Sequence, residues 1–252
     1  MTVKELFDWV RDNQEDNSLL QPQVDALDNM LLTMSSKDIQ KNLSKLLGWV
    51  VEEKSVDSKK LTRSDIIQSA KELGAEPATL KAVIDVEARS SGFDSLGRPT
   101  ILFERHKMWK YLGEIYYYTW REKLNEEYPD VCSPKAGSYN TRGQYEKLAI
   151  AEAVDWGAAH MSCSFGLAQV MGFNWESLGY TSLKEFVDEM WESESKQLDA
   201  MCRYIRVNYL VDELQKHDWA GFARGYNGSA YRINKYDTKL AAAYIKAKRE
   251  GW

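Results

Sequence analysis

The sequence predicts a mainly α-helical protein with one small β element, in which a large C-terminal domain follows a small N-terminal helical one. Three observations carry that prediction. Apolar residues recur at helical spacing in one segment after another. The 252 residues include only 5 prolines, which leaves few obligatory helix breaks. A single stretch, Ile101, Leu102 and Phe103, reads instead as a short buried strand behind a turn at Gly97, Arg98 and Pro99. A chain of this length can bury a core without metals or disulfides.

Residues 1–58 read as a small helical domain. Val3, Leu6, Phe7 and Val10 share one helical face; Val24, Leu27, Met30 and Leu31 follow Pro22 on a second; and Ile39, Leu43, Leu46 and Leu47 lie between a Ser36 cap and a Gly48 stop. The polar stretch 51–60, without apolar period, is the expected linker, and 59–252 the second domain. There, Thr62 or Ser64 can cap a helix through Ile66, Ile67, Ala70 and Leu73 that Gly74 stops. A second helix starts at Pro77 and ends before Ser90, Ser91 and Gly92. Residues 124–144, with scattered Pro, Gly, Ser and Asn, predict a long surface loop. Helical pattern returns from Tyr145 to Met161, and Gly166 and Gly172 bracket what reads as a short apolar helical turn. Ser182 with Glu185 predicts a capping box, Leu198, Met201, Cys202 and Ile205 a long buried stripe, and Asp218 and Asp237 the caps of the last two helices.

The helix after Pro77 carries the most informative residue. Leu80, Val83, Ile84 and Glu87 fall at i, i+3, i+4 and i+7, so a carboxylate takes a place the stripe would give to an apolar side chain. In the last turn, the negative end of the helix dipole and partial desolvation both favour a protonated carboxyl, which is what a general acid needs. The alternative is a helix-end glutamate turned to solvent or paired with Arg89. Other carboxylates nearby are Asp94, which suits a turn, and Glu104, just after the strand, which can serve as a second acid–base group or simply pair with a cation.

Composition narrows the chemistry. With 33 basic against 38 acidic residues the net charge is -5, which argues against a nucleic-acid partner. Met1 leads into a charged amphipathic segment, with no apolar signal segment and no run long enough to span a bilayer, so no stable membrane association is expected. Cys132, Cys163 and Cys202 are an odd, widely spaced set that predicts buried thiols and a reducing compartment. His160 and Cys163 could share a face but lack an orienting third group for a thiol nucleophile. Neither HExxH nor paired Cys/His spacing occurs, so no catalytic metal or cofactor is expected. What remains is carboxylate chemistry in an aromatic-rich cleft: amides such as Gln169 and Asn227, and phenols such as Tyr226, suit sugar hydroxyls and N-acetyl groups, while 9 Trp and 14 Tyr supply stacking faces.

The order Glu-x5-Phe, Gly-Leu-x-Gln-x-Met, Tyr-Asn-Gly resembles the signature segments of lytic transglycosylases and goose-type lysozymes. More closely, residues from about Leu61 to Ala247 resemble the N-acetylmuramidase domain of modular phage endolysins, through VEARSSGF, GRPTILFERHKMW, SFGLAQVMGFNW, ESESKQLDAM, DWAGFARGYNGSAY and YDTKLAAAY in that order. The resemblance implies a lysozyme-like helical fold with a small β element and hydrolysis of the β-1,4 bond between N-acetylmuramic acid and N-acetylglucosamine in peptidoglycan. It makes Glu87 the catalytic acid and puts Glu104 in a motif position close to the site, as the second catalytic carboxylate unless the substrate's own N-acetyl group assists the water, with Gln169, Asn174, Tyr226 and Asn227 along the substrate groove. It further implies a monomer that accumulates in the host cytoplasm, leaves through a holin-type pore and acts in the periplasm, with residues 1–58 as either a wall-binding module or a purely structural bundle. Ala168 departs from the Met usual in transglycosylases. Two rivals stand beside this reading: a transglycosylase forming 1,6-anhydro-muramic acid, and a non-catalytic wall-binding or virion structural protein.

Overall fold

The computed structural model describes residues 59–88, 91–116 and 119–252. The expectations for residues 1–58 lie outside these, as does Arg89. The described residues form eleven α-helices and one three-stranded antiparallel sheet, as the apolar periodicity predicts.

Helix α1 (Arg63–Leu73) opens with Thr62 and Asp65 capping each other's backbone N–H and closes on Gly74 in the left-handed region, φ 75°. Helix α2 (Pro77–Glu87) has Pro77 at its first position and buries Leu80, Val83 and Ile84, each worth roughly 2 kcal/mol of apolar burial. Strand β1 (Ile101–Phe103) leads into α3 (Arg105–Tyr116) and α4 (Thr119–Glu127). The long loop is shorter than its composition suggests, since helix occupies its first residues up to Glu127 and resumes at Gln144. The pattern from Tyr145 to Met161 is two helices, α5 (Gln144–Glu152) and α6 (Trp156–Met161), because Asp155 caps Ala158 and restarts the chain.

One expectation fails between Gly166 and Gly172. That stretch is a β-turn and strand, with β2 (Cys163–Phe165) paired on one side to β1, Ile101 opposite Phe165, and on the other to β3 (Val170–Met171). Gly166 and Gln169 both take positive φ, 69° and 51°, which a helical turn cannot include. A short 3-10 turn, Gly172–Asn174, follows.

The remaining helices are α7 (Leu183–Glu192), α8 (Glu194–Val207), α9 (Val211–Lys216), α10 (Trp219–Asn227) and α11 (Tyr236–Arg249). Ser182 and Asp218 cap as predicted, but Glu185 turns to the Thr181 backbone and hydroxyl, so the box at Ser182 is only half formed. Asp237 is not the cap of α11; Lys235, in the left-handed region, takes that place and Asp237 sits in the first turn. Two apolar cores result. One surrounds the sheet with Phe103, Met108, Leu112, Phe165 and Phe186; the other joins α1 and α2 to α8, α10 and α11 through Leu80, Met201, Phe222 and Leu240. Helix α8 serves both, with Ala200 in the first core and Leu198 and Met201 in the second.

Candidate active site

Glu87 ends α2, where the helical core hands the chain to the sheet. The backbone departs from helix at Ala88, whose N–H still reaches the Ile84 carbonyl, and the Glu87 side chain is half-buried. Asn227, the last residue of α10, directs its amide at this carboxyl: Nδ2 lies 3.1 Å from Oε1 and 3.1 Å from Oε2. Its own Oδ1 is buried without a hydrogen-bond partner. Tyr226 beside it stacks on Phe222 and meets Tyr204 edge-on. Burial, and then the Glu87 charge, push its phenol well above the usual range, so Tyr226 stays a neutral donor. The structure thus brings Glu87, Tyr226 and Asn227 together.

Of the other expected residues, Gln169 and Glu104 have partners of their own. Gln169 spends its amide on the fold: Oε1 accepts from Ser164 Oγ at 2.8 Å, and Nε2 donates to the carbonyls of Thr100 and Gly166. Asn174 is half-buried, and among the described residues its side chain makes no hydrogen bond. Glu104 stands one residue beyond β1, at the N-terminus of α3, its side chain 16% exposed. Tyr139, from the long loop, donates to its Oε2 at 3.1 Å, and His106 Nδ1 lies 3.1 Å away but off the angle of a hydrogen bond, so that contact is electrostatic. The Tyr139 phenol is raised, first by burial and then by Glu104, and remains a donor. The loop that delivers Tyr139 is itself tied down by Arg105 to the carbonyls of Pro129 and Ala136, by buried Lys147 to the carbonyl of Ser138, and by Gln144 to that of Tyr139.

Two residues that sequence reasoning passed over hold the chain just beyond Glu87. Glu194, 7% exposed, accepts from Gly92 N at 2.8 Å, Ser91 Oγ at 3.2 Å and Leu61 N at 2.9 Å. Gln197, 1% exposed, accepts from Leu167 N and donates to the carbonyls of Gly92 and Met190. The loop after Glu87 and the turn of the sheet are thereby fastened to the same helix. A β-carbon on Gly92 would sit 2.0 Å from Gln197 Oε1, and one on Gly166 2.3 Å from its Cδ, so both positions admit only glycine at this distance. Glu194 and Gln197 continue the stripe of Leu198, Met201 and Ile205, so a polar residue at an apolar position was their signal too.

The thiol alternative has no support in the geometry. All three cysteines are free and buried; burial pushes Cys132 and Cys202 to about 12 and Cys163 well above the usual thiol range, and it lowers His160 to about 4. Among the described residues no group of three or more His, Cys, Asp or Glu could hold a metal ion, and no helix is long and apolar enough to cross a membrane.

The structure holds a glutamate at a helix end against the Asn of a Tyr-Asn-Gly turn, and a family model for N-acetylmuramidases matches residues 76–248. The chain belongs to the N-acetylmuramidase family. The muramidase resembles a solved structure described as the Burkholderia AP3 phage endolysin, at 36% identity and a TM-score of 0.70, over 76% of this chain and 73% of that one. No curated protein sequence matches it. The fold is lysozyme-like and mainly α, and the enzyme is a glycoside hydrolase of peptidoglycan.

Proposed function

We propose that this muramidase is a phage endolysin whose Glu87 protonates the glycosidic oxygen between N-acetylmuramic acid and N-acetylglucosamine. The observation that carries this is the Asn227 amide set across both oxygens of a half-buried carboxyl at the end of a helix. Such an amide suits both states of the acid. It donates to the carboxylate, and after half a turn its now unpartnered Oδ1 can accept the acid proton while Nδ2 donates to the other oxygen. Water then attacks the anomeric carbon, activated by Glu104 or assisted by the substrate's own N-acetyl group, and Glu87 gives its proton to the departing sugar oxygen. Tyr226 lines the acid, and Gln169 shapes the turn of the groove wall rather than reaching for sugar. Asn174 is a groove residue in this reading by its place in the motif.

Residues 59–252 form the catalytic domain and 1–58 a separate module that binds wall or serves as scaffold. On the endolysin reading the enzyme is a monomer that waits in the host cytoplasm and reaches the periplasm through a holin-type pore. Clearing of permeabilised Gram-negative cells tests the reading. Glu87→Gln should cut the clearing rate by about a thousandfold with folding intact, and undiminished lysis by that variant would leave a wall-binding protein in its place.

A further inference from the structure

Two arginines flank the Asn227 turn without carboxylate partners. Arg224 lies one helical turn before Asn227 on α10, at the i, i+3 spacing that puts both on one side. Gly228 then reverses the chain at φ 83°, with open space where a side chain would be, and a 3-10 turn, Ser229–Arg232, folds back beside the helix end. The Tyr231 ring is buried in the second core and fixed there. Arg232 Nε donates to its hydroxyl at 3.1 Å, and Arg224 approaches the same oxygen; together the two guanidiniums pull this phenol below its usual range. Both arginines are exposed, and among the described residues neither lies within ion-pairing distance of a carboxylate. From Arg224 to Lys235 the chain has three cations and no acid, inside a protein of net charge -5.

We propose that Arg224 and Arg232, held together by the Tyr231 hydroxyl, form a subsite for the free carboxylates of the peptide stem on the muramic acid next to the scissile bond. The proposal rests on the muramidase reading of Glu87. A guanidinium fork matches a carboxylate bidentately, and a buried hydroxyl that accepts from both cations holds them side by side. The stems make the substrate anionic, so an acidic enzyme needs a local basic contact beside its acid to offset repulsion. The site therefore selects stem-bearing, unamidated strands, and its effect falls on KM.

The test compares purified peptidoglycan with the same material after its carboxylates are converted to amides by carbodiimide and ammonia, the glycan being unchanged. Release of reducing muramic acid is measured for wild type and for the Arg224→Gln, Arg232→Gln double variant. Wild type should lose about tenfold in kcat/KM on the amidated wall, mainly through KM, and the double variant should show a native-to-amidated ratio close to one. Equal wild-type rates on both walls would overturn the proposal without any need for the variant, and so would a folded double variant that keeps the preference. Wild type releasing no reducing muramic acid from either wall would instead overturn the muramidase reading, and the subsite with it.

Discussion

Asn227 holds both oxygens of Glu87 through one nitrogen. A hydrogen bond to a charged group contributes roughly 1.5–3 kcal/mol, so Asn227→Ala should lower kcat by about ten- to a hundredfold without loss of fold. A purely structural asparagine would give the same loss, and the pH profile separates the two. Asn227→Asp sets a second carboxyl against Glu87; two like charges at that distance hold a proton more tightly, so the alkaline limb of activity should move to higher pH. An unmoved limb in a folded Asp variant would remove Asn227 from the acid's control. Glu87 itself was legible in the sequence because it breaks an apolar stripe, and Tyr226 and Asn227 because they fall in a known motif. Tyr139 was not legible: nothing in a loop sequence says that its tip returns to a carboxylate on another element.

Helix α8 is the element on which the site depends. Its first turn presents Glu194 and Gln197 to the loop beyond Glu87 and to the turn between β2 and β3. Removing either leaves buried backbone N–H groups without acceptors, so Glu194→Ala and Gln197→Ala should each cost about 2–4 kcal/mol in denaturant unfolding. Values under about 0.5 kcal/mol would mean that these side chains merely fill space. The helices were readable from periodicity and caps, down to Thr62, Gly74 and Asp218. The turn at Gly166 was misread because a short apolar run looks alike as helix or strand, and only its pairing with Ile101–Phe103, some sixty residues earlier, decides between them. Asp237 failed as a cap for a related reason, since the left-handed Lys235 starts the helix earlier than side-chain chemistry alone suggests.

At the scale of the molecule, two cores share α8, and Glu87 ends a helix of the second. The sheet core contains His160, stacked on Trp156 and donating from Nδ1 to its carbonyl, with Glu152 3.3 Å from Nε2. Burial outweighs these contacts and lowers His160 from 6.5 to about 4, so the unfolded chain binds a proton there that the folded chain does not. Stability should therefore fall as pH drops from about 6.5 to about 4, by roughly 3 kcal/mol from this residue. His160→Phe should flatten that window in unfolding experiments, and a parallel profile would show that the Glu152 contact wins over burial. The bond that is cut, and the group that cuts it, define the enzyme. Mass spectrometry of muropeptides released from purified peptidoglycan and reduced with borohydride identifies both. Wild type should release products ending in reducible N-acetylmuramic acid, and Glu87→Gln about a thousandfold fewer. Non-reducible 1,6-anhydro-muramic ends, one water lighter, would contradict this and make the enzyme a transglycosylase.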